Sequence, residues 1–307
     1  CQAQNYLEYY KLINEANYLS KFKKMQIIAD SLYTEAFKRI SYIHPEDQVL
    51  AAYNLARMKK YKKACQYLEE AIMKGYPLKE IKRIDKKMYK DFFKSDFWKS
   101  FLSNHDSLRS VYVKSIDMQL VHRINNMYEK DQHYRSNPGK YKYKEQEKLD
   151  SINLAELNSM IKEFGKIPGI KELGYEGVML LHVIFRHISA NYLLDTLQVQ
   201  LIKQVRNGDF RPSTVASAID YATLAKNRTS LTIQPRQKYG TMVMITPLSN
   251  LGIIIPVEDY KNLNQIRDSI GLCSLEQYQF SLSYRYIYAE DQLKAELQSL
   301  GKDLQNK

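Results

Sequence analysis

The sequence predicts a mainly α-helical protein, in which helical hairpins with an internal repeat precede a helical domain that contains one small β-hairpin. Three observations lead to this fold class. Apolar residues recur at helical spacing through most of the 307 residues. One such pattern occurs twice within the first third of the chain. Two short stretches, "TMVMI" and "GIIIPV", are instead of the β type and are joined by a loop.

The repeat predicts a tetratricopeptide-like helical region over residues 1–104. Ala29, Tyr33 and Ala36 follow one another at offsets of four and seven, and the same offsets recur from Ala64, 35 residues later. These offsets return to one face of a helix, and a period near 34 residues resembles that of tetratricopeptide units. Two generic helical hairpins are the alternative. Because such repeats need about three copies to be stable alone, the region should pack on the next part of the chain.

Residues 105–286 are expected to form a helical domain, with its hairpin near residues 241–256. Its helices should include "EGVMLLHVIFRHIS", which is apolar nearly all round and should be buried. Others are expected in "YLLDTLQVQLIKQVRNG", "PSTVASAIDYATLAKN" and "NLNQIRDSIG". Residues 287–307 are expected to form a C-terminal helix and tail.

The first part of this domain is predicted to contain two long helices joined by a loop. A long helix should run from Ile116 to Tyr134 and lead into an exposed loop, "SNPGKYKYKEQEK". Asp150 or Ser151 should then cap a second helix, which Gly165 should end.

Composition and cysteine usage limit the class of protein. The net charge is +12, the pI is near 9.3 and the mean hydropathy is −0.49, so the chain should attract anionic surfaces. No run approaches the roughly 18 apolar residues of a membrane-spanning helix. Three cysteines cannot form a disulfide framework. Cys1 at the start of the chain predicts a lipid-anchored lipoprotein of the cell envelope, on the outer membrane of a Gram-negative bacterium; a processing boundary is the alternative.

An acidic residue interrupts the apolar face of the first long helix. The stripe that runs from Ile116 to Met127 continues, at 100° per residue, into Asp131. A carboxylate directed at a core is costly unless it is paired. Arg135 stands one turn later and is a natural partner. Either this is a structural ion pair at a helix end, or Asp131 belongs to a site.

Six short motifs occur in order between residues 118 and 278, and together they resemble an uncharacterised bacterial domain family of unknown function. The motifs are "EKDQHYR", "LDSINLAELNSMIKEFGKIP", "HVIFRHIS", the Asp-Tyr pair at 220–221, "QKYGT", and "PVED" followed by Arg267 and "IGL". Two residues depart from the pattern: Tyr221 replaces an arginine and Met242 replaces a frequent glutamine. The resemblance implies no known chemistry. It does single out polar positions as candidate ligand-binding residues, namely Asp131, Gln132, Arg135, His187, Asp220, Gln237, Tyr239 and Arg267.

Most familiar catalytic motifs are missing from the sequence. His182 and His187 are five residues apart and would point about 140° apart on a helix. With no HExxH or paired CxxC motif, neither a metal nor another cofactor is expected. Glycine-rich phosphate loops are lacking too, and Cys273 should be a buried packing residue. His187 is either a general base or a core histidine held by a hydrogen bond.

Two functions remain open. In the first, the protein is an envelope-associated binding or scaffolding protein whose repeats hold a protein or peptide partner. The alternative is an enzyme, for example a hydrolase, whose pocket is lined by Asp131, Arg135, His187, Tyr239 and Arg267. Nucleic acid is not an expected partner, because basic stretches such as "RMKKYKK" are more typical of a solvated helix face. The sequence does not determine the oligomeric state.

Overall fold

The prediction of a mainly α-helical protein is confirmed by a computed structural model of the chain. The structure describes residues 5–83, 87–136, 142–227, 236–245, 252–282 and 285–286. Cys1 and the expected tail at 287–307 lie outside the described residues, so the lipid anchor stays a prediction.

The first third of the chain consists of helices joined by short turns. Pro45 begins α3, where its missing N–H would in any case have no partner. Both predicted faces are buried, since the exposure of their six residues does not exceed 2%. The helices are α1 (Tyr6–Tyr18), α2 (Gln26–Lys38), α3 (Pro45–Arg57), α4 (Tyr61–Ile72), α5 (Leu78–Ile81), α6 (Lys90–Lys94), α7 (Asp96–Ser103) and α8 (His105–Ser115). Helix α1 packs against α2, and α3 packs against α4.

A second group of helices carries most of the candidate residues. They are α9 (Met118–Arg135), α10 (Tyr143–Phe164), α11 (Ile170–Phe185), α12 (Ala190–Tyr192), α13 (Gln198–Arg206) and α14 (Pro212–Asn227). Helices α10 and α11 both pack on α9, and α12 and α13 pack on α14. Within the described residues no single helix is long and apolar enough to cross a membrane, whereas α11 and the segment Ala190–Arg206, which meet at 118°, pass that test as a pair.

Two helix starts differ from the prediction. Ile116 is extended, and α9 begins after Asp117, whose side chain accepts a hydrogen bond from the Leu120 amide. The prediction that Asp150 or Ser151 caps the next helix was wrong, because α10 begins at Tyr143 and includes the end of the expected loop, residues 143–148. The predicted end at Gly165 is confirmed by its left-handed backbone, with φ of +69°.

The last described segments form short strands and two short helices. Strand β1 (Val243–Ile245) pairs antiparallel with β2 (Gly252–Ile254), and β2 pairs in parallel with β3 (Arg285–Tyr286). The predicted hairpin also includes residues 246–251, which lie outside the described residues. Helices α15 (Leu263–Asp268) and α16 (Leu275–Leu282) complete this part.

One hydrophobic core connects the start of the chain to the later helices. It extends from Tyr6 in α1 through α9, α11 and α14 to Ile270. A second core, between Val49 and Phe101, lies within the first third of the chain. The predicted domain boundary near residue 104 stays a prediction.

Candidate functional site: an acid–histidine pair at an open cleft

The carboxylate of Asp131 is buried within the apolar stripe of α9 and fully engaged in hydrogen bonds. The residue is 1% exposed. Its two oxygens lie 2.9 Å from Nδ1 of His187. Nη1 of Arg135 donates to Oδ1 at 2.9 Å, and Nε2 of Gln132 donates to Oδ2 at 2.7 Å. Charge-assisted hydrogen bonds of this kind offset the cost of burying a carboxylate. Three of the predicted site residues therefore surround the fourth.

The early start of α10 supplies the outer part of this network. Two guanidinium nitrogens of Arg135 donate hydrogen bonds to the carboxylate of Asp150, at 2.8 and 2.6 Å. Gln146, one turn earlier, donates to the same carboxylate at 2.9 Å. Asn153 holds the two helices together by donating to the Met127 carbonyl oxygen at 2.8 Å. Because Arg135 bridges two carboxylates, it is fixed rather than free to follow a ligand.

His187 lies in the turn after α11, not on the helix itself. Helix α11 ends at Phe185, and the His187 amide donates to the Ile184 carbonyl oxygen at 2.9 Å. An ionised carboxylate only accepts hydrogen bonds, so Nδ1 donates to Asp131. In the neutral ring Nε2 is then a free acceptor, and it has no hydrogen-bond partner among the described residues. The side chain is 20% exposed.

An open cleft of about 640 Å³ borders His187. The Arg186 guanidinium stands over the Tyr221 ring, with its central carbon 5.1 Å from the ring centroid. The His187 ring meets the same tyrosine edge-on, with centroids 6.2 Å apart. The lining residues are Arg135, Arg186, His187, Ile188, Ala190, Tyr221, Ala222 and Ala225.

Sequence reasoning missed two residues of this cleft. Arg186 was not singled out, although it directly precedes His187. Tyr221 was noted only as a departure from the family pattern. The available signal was a charged residue inside "HVIFRHIS", the segment expected to be buried.

The other four candidates form a second, buried network. Asp220, 0% exposed, accepts hydrogen bonds from the amides of Lys238, Tyr239 and Thr241 and from the Thr241 hydroxyl, at 2.6–2.8 Å. Burial raises the pKa of Asp220, and these four hydrogen bonds oppose that rise. The carboxylate thus fixes the backbone of the "QKYGT" segment.

Gln237 and Arg267 complete this second network. The side-chain amide of Gln237 donates through Nε2 to the carbonyl oxygens of Met242 and Ile255. Its Oε1 accepts a hydrogen bond from the backbone N–H of Met242. Arg267 donates to the carbonyl oxygens of Tyr239 and Cys273, at 2.5 and 2.7 Å. All these hydrogen bonds join a side chain to the backbone of a loop and fix that loop. This second network is therefore structural.

The eight candidate residues therefore divide into two groups of four. Asp131, Gln132, Arg135 and His187 meet at the open cleft. The expected pocket also included Tyr239 and Arg267, but these two belong to the buried network, because Asp220 and the loop carbonyls hold them. Asp220 of the second group directly precedes Tyr221, which lines the cleft.

His182 lies in a different environment from His187. Its Nε2 is 2.7 Å from the Ser217 hydroxyl oxygen, and both residues line a second cleft of about 420 Å³. Burial, and then the charge of Arg186, lower the pKa of His182 to about 4. His182 is therefore neutral near pH 7 and is a weaker base than an unperturbed histidine.

Among the residues that the structure describes, no group of three or more His, Cys, Asp and Glu side chains is arranged to hold a metal ion. Comparison of the chain with protein-family models, with curated proteins and with solved structures finds no match in any of the three. The resemblance to the uncharacterised family stays a prediction.

Proposed function

We propose that the protein is an enzyme of the hydrolase type, in which His187 acts as a general base in the open cleft. One observation carries this proposal. His187 is held through Nδ1 by a buried carboxylate, while Nε2 is unpartnered among the described residues at the edge of the cleft. The Nε2 side of the ring is therefore available to a molecule bound in the cleft.

The charges around His187 support proton transfer. Asp131, Asp150 and Arg135 together carry one net negative charge when ionised, and a proton on His187 makes the four side chains neutral as a group. Nε2 can take a proton from a water molecule or hydroxyl in the cleft while Asp131 faces the imidazolium that forms. Gln132 and Arg135 hold the carboxylate in position during this step.

The test is a hydrolysis screen with the full chain and a matched pair of histidine variants. Chromogenic probes are p-nitrophenyl acetate, p-nitrophenyl phosphate and bis-p-nitrophenyl phosphate. His187→Gln should lower kcat/KM for any substrate that is turned over by about 10²–10⁴-fold. His122→Gln, on the same helix as Asp131, should leave it unchanged. Turnover that persists in His187→Gln, or no turnover of any probe, would contradict the proposal.

A second candidate function is the holding of a peptide by the first helices, as repeats of the tetratricopeptide type would do. A groove of about 620 Å³ between this region and residues 273–281 is mostly apolar, and Leu50 and Met88 in its wall are 39% and 57% exposed. Lys21 and Arg57 add positive charge to the same groove. This combination fits a peptide that carries aromatic or aliphatic residues beside Asp or Glu.

Selection from a phage-displayed random peptide library tests this second function. The selected peptides should combine apolar and acidic residues, and Leu50→Asp should abolish their binding. Val199→Asp, at a residue that is 80% exposed on α13, should not. Selected peptides that bind Leu50→Asp as tightly as the unmodified protein would rule out the groove.

A further inference from the structure

We infer that Arg186, stacked on Tyr221, is an anion-binding subsite of the cleft and that the ligand carries a carboxylate or phosphate group. This inference extends the proposed function by naming the class of substrate. It starts from Arg186, which has no role in the network around Asp131.

The first observation is an unsatisfied donor. Nε of Arg186 is buried and has no hydrogen-bond partner among the described residues. A buried polar donor without a partner is costly, and more so when it belongs to a charged group. The other arginine of the cleft, Arg135, is engaged with two carboxylates. Arg186 therefore has donor capacity that a ligand oxygen can fill.

The second observation is the charge of the lining. Among the described residues it includes two arginines and His187, and no Asp or Glu. Two carboxylates lie on Arg135: Asp131, which is 1% exposed, and Asp150, whose side chain is 21% exposed. Arg135 is neutralised by these two carboxylates, so the Arg186 guanidinium is the positive charge that the described lining offers to an anion.

The third observation is orientation. The cation–π contact places the guanidinium carbon over the Tyr221 ring, 5.1 Å from its centroid, and limits the side-chain freedom that binding would otherwise remove. A fork of N–H groups fixed in this way suits two oxygens of a carboxylate or phosphate. Since His187 contacts the same tyrosine, an anion on Arg186 would bring the adjoining bond of the ligand toward Nε2.

The volume favours more than a bare ion. About 640 Å³ lies within the range of roughly 300–1,000 Å³ that is typical of small-molecule sites. The ligand class is therefore a small organic acid or phosphate monoester whose reactive group lies next to the anion.

Calorimetric titration of the full chain at low salt tests the subsite directly. The probes are inorganic phosphate and acetate, followed by phenyl phosphate and benzoate, so that the two anion classes are compared with and without an organic group. We expect saturable binding by at least one class and tighter binding of the corresponding aromatic compound. Arg186→Gln should weaken that binding at least about tenfold. Arg186→Lys should restore only part of it, because lysine keeps the charge but loses the planar fork.

Arg206→Gln is the matched control, since Arg206 is exposed and lies in the last turn of α13. It should bind as the unmodified protein does. The inference is overturned if Arg186→Gln binds normally, if neither anion class binds, or if Arg206→Gln loses as much affinity.

The same titration separates this inference from the proposed function. His187→Gln should keep most of the anion affinity, because Arg186 supplies the main contact. If it does so and also keeps full turnover, the subsite stands and the general-base role fails. If His187→Gln is inactive while Arg186→Gln binds every probe normally, the base stands and the subsite fails.

Discussion

At the scale of single residues, His182 and His187 belong to one segment but lie in different environments. His187 faces a buried carboxylate and an open cleft. His182, five residues earlier, pairs with a serine hydroxyl and has a pKa lowered to about 4, mainly by burial. Its surroundings favour the neutral ring, so His182 affects stability rather than proton transfer.

His182 should make the protein less stable in mild acid. Between its ordinary pKa near 6.5 and its folded pKa of about 4, the unfolded chain binds the proton and the folded chain does not. Stability present above pH 6.5 is therefore lost as the pH falls through this window, by roughly 2–3 kcal/mol. His182→Gln should flatten the pH dependence of the free energy of unfolding, measured by urea denaturation at pH 7 and pH 4.5.

His105→Gln is the control, because His105 is on the separate helix α8. The fully buried His44, whose pKa is also lowered by burial, should preserve part of the slope in both variants. A slope for His182→Gln equal to that of the control would contradict the account.

At the scale of helices, α9 and α10 form the frame that holds the acid–histidine pair. Arg135, the last residue of α9, donates two hydrogen bonds to Asp150, which lies about two turns into α10. Helix α11 packs on α9, and His187 lies in the turn that follows α11. The pair is therefore assembled by three helices, each held by its own buried apolar residues.

The apolar pattern predicted α9 well and α10 poorly, for a physical reason. Leu120, Ile124 and Met127 are buried and define the stripe in which Asp131 was correctly expected. The first two turns of α10 instead carry "YKEQEKL", in which Gln146 is the buried side chain. Because the buried side chain in these turns is polar, the sequence shows no apolar helical period there. Asp150, which stands just before the apolar pattern begins, was therefore predicted to cap the helix.

The cleft was harder to predict than either helix. Arg186 and His187 lie in a turn, where side-chain direction follows from backbone dihedrals and not from a repeating period. The eight candidates fall into two groups because the Asp220 carboxylate accepts hydrogen bonds from backbone amides about twenty residues later in the chain. Contacts of that kind are set by tertiary packing and leave no local signal.

The repeat also makes a prediction at the level of helices. Ala64 is 0% exposed in α4, which packs on α3. Ala64→Leu should overpack this contact and lower the free energy of unfolding by roughly 1–3 kcal/mol. Gln66→Leu, at an exposed position on the same helix, should change it little. Equal melting temperatures for the two variants would mean that the packing of α3 on α4 is not close.

At the scale of the whole molecule, α1 and α3 join the first helices to the turn between α13 and α14. The Tyr10 hydroxyl donates to the Phe210 carbonyl oxygen at 3.1 Å, and Arg211 donates to Asp47 at 2.9 Å. The ring of Tyr6 lies directly against Gly208. Tyrosines of α1 thus dock this helix on the turn after α13, by a hydroxyl at Phe210 and by a ring at Gly208.

Gly208→Ala should undo this docking. Its φ of +74° disfavours any other residue, and an added Cβ would overlap the Tyr6 ring. Gly165→Ala is a close control, since its φ is +69° but nothing lies within 4 Å of the added carbon. Backbone strain should cost about 1 kcal/mol in both variants, and overpacking should add roughly 1–3 kcal/mol in Gly208→Ala only. Urea denaturation followed by circular dichroism measures the difference; equal losses would contradict the docking role.

The orientation of His187 is the claim on which the proposed function depends, and it can be measured directly. A long-range ¹H–¹⁵N correlation spectrum, with His187 assigned through His187→Gln, reports which ring nitrogen carries the proton when the ring is neutral. We predict a protonated Nδ1 and an unprotonated Nε2, because Nδ1 donates to Asp131. Asp131→Asn should shift the population toward a protonated Nε2. A protonated Nε2 in the unmodified protein, unchanged by Asp131→Asn, would contradict the account.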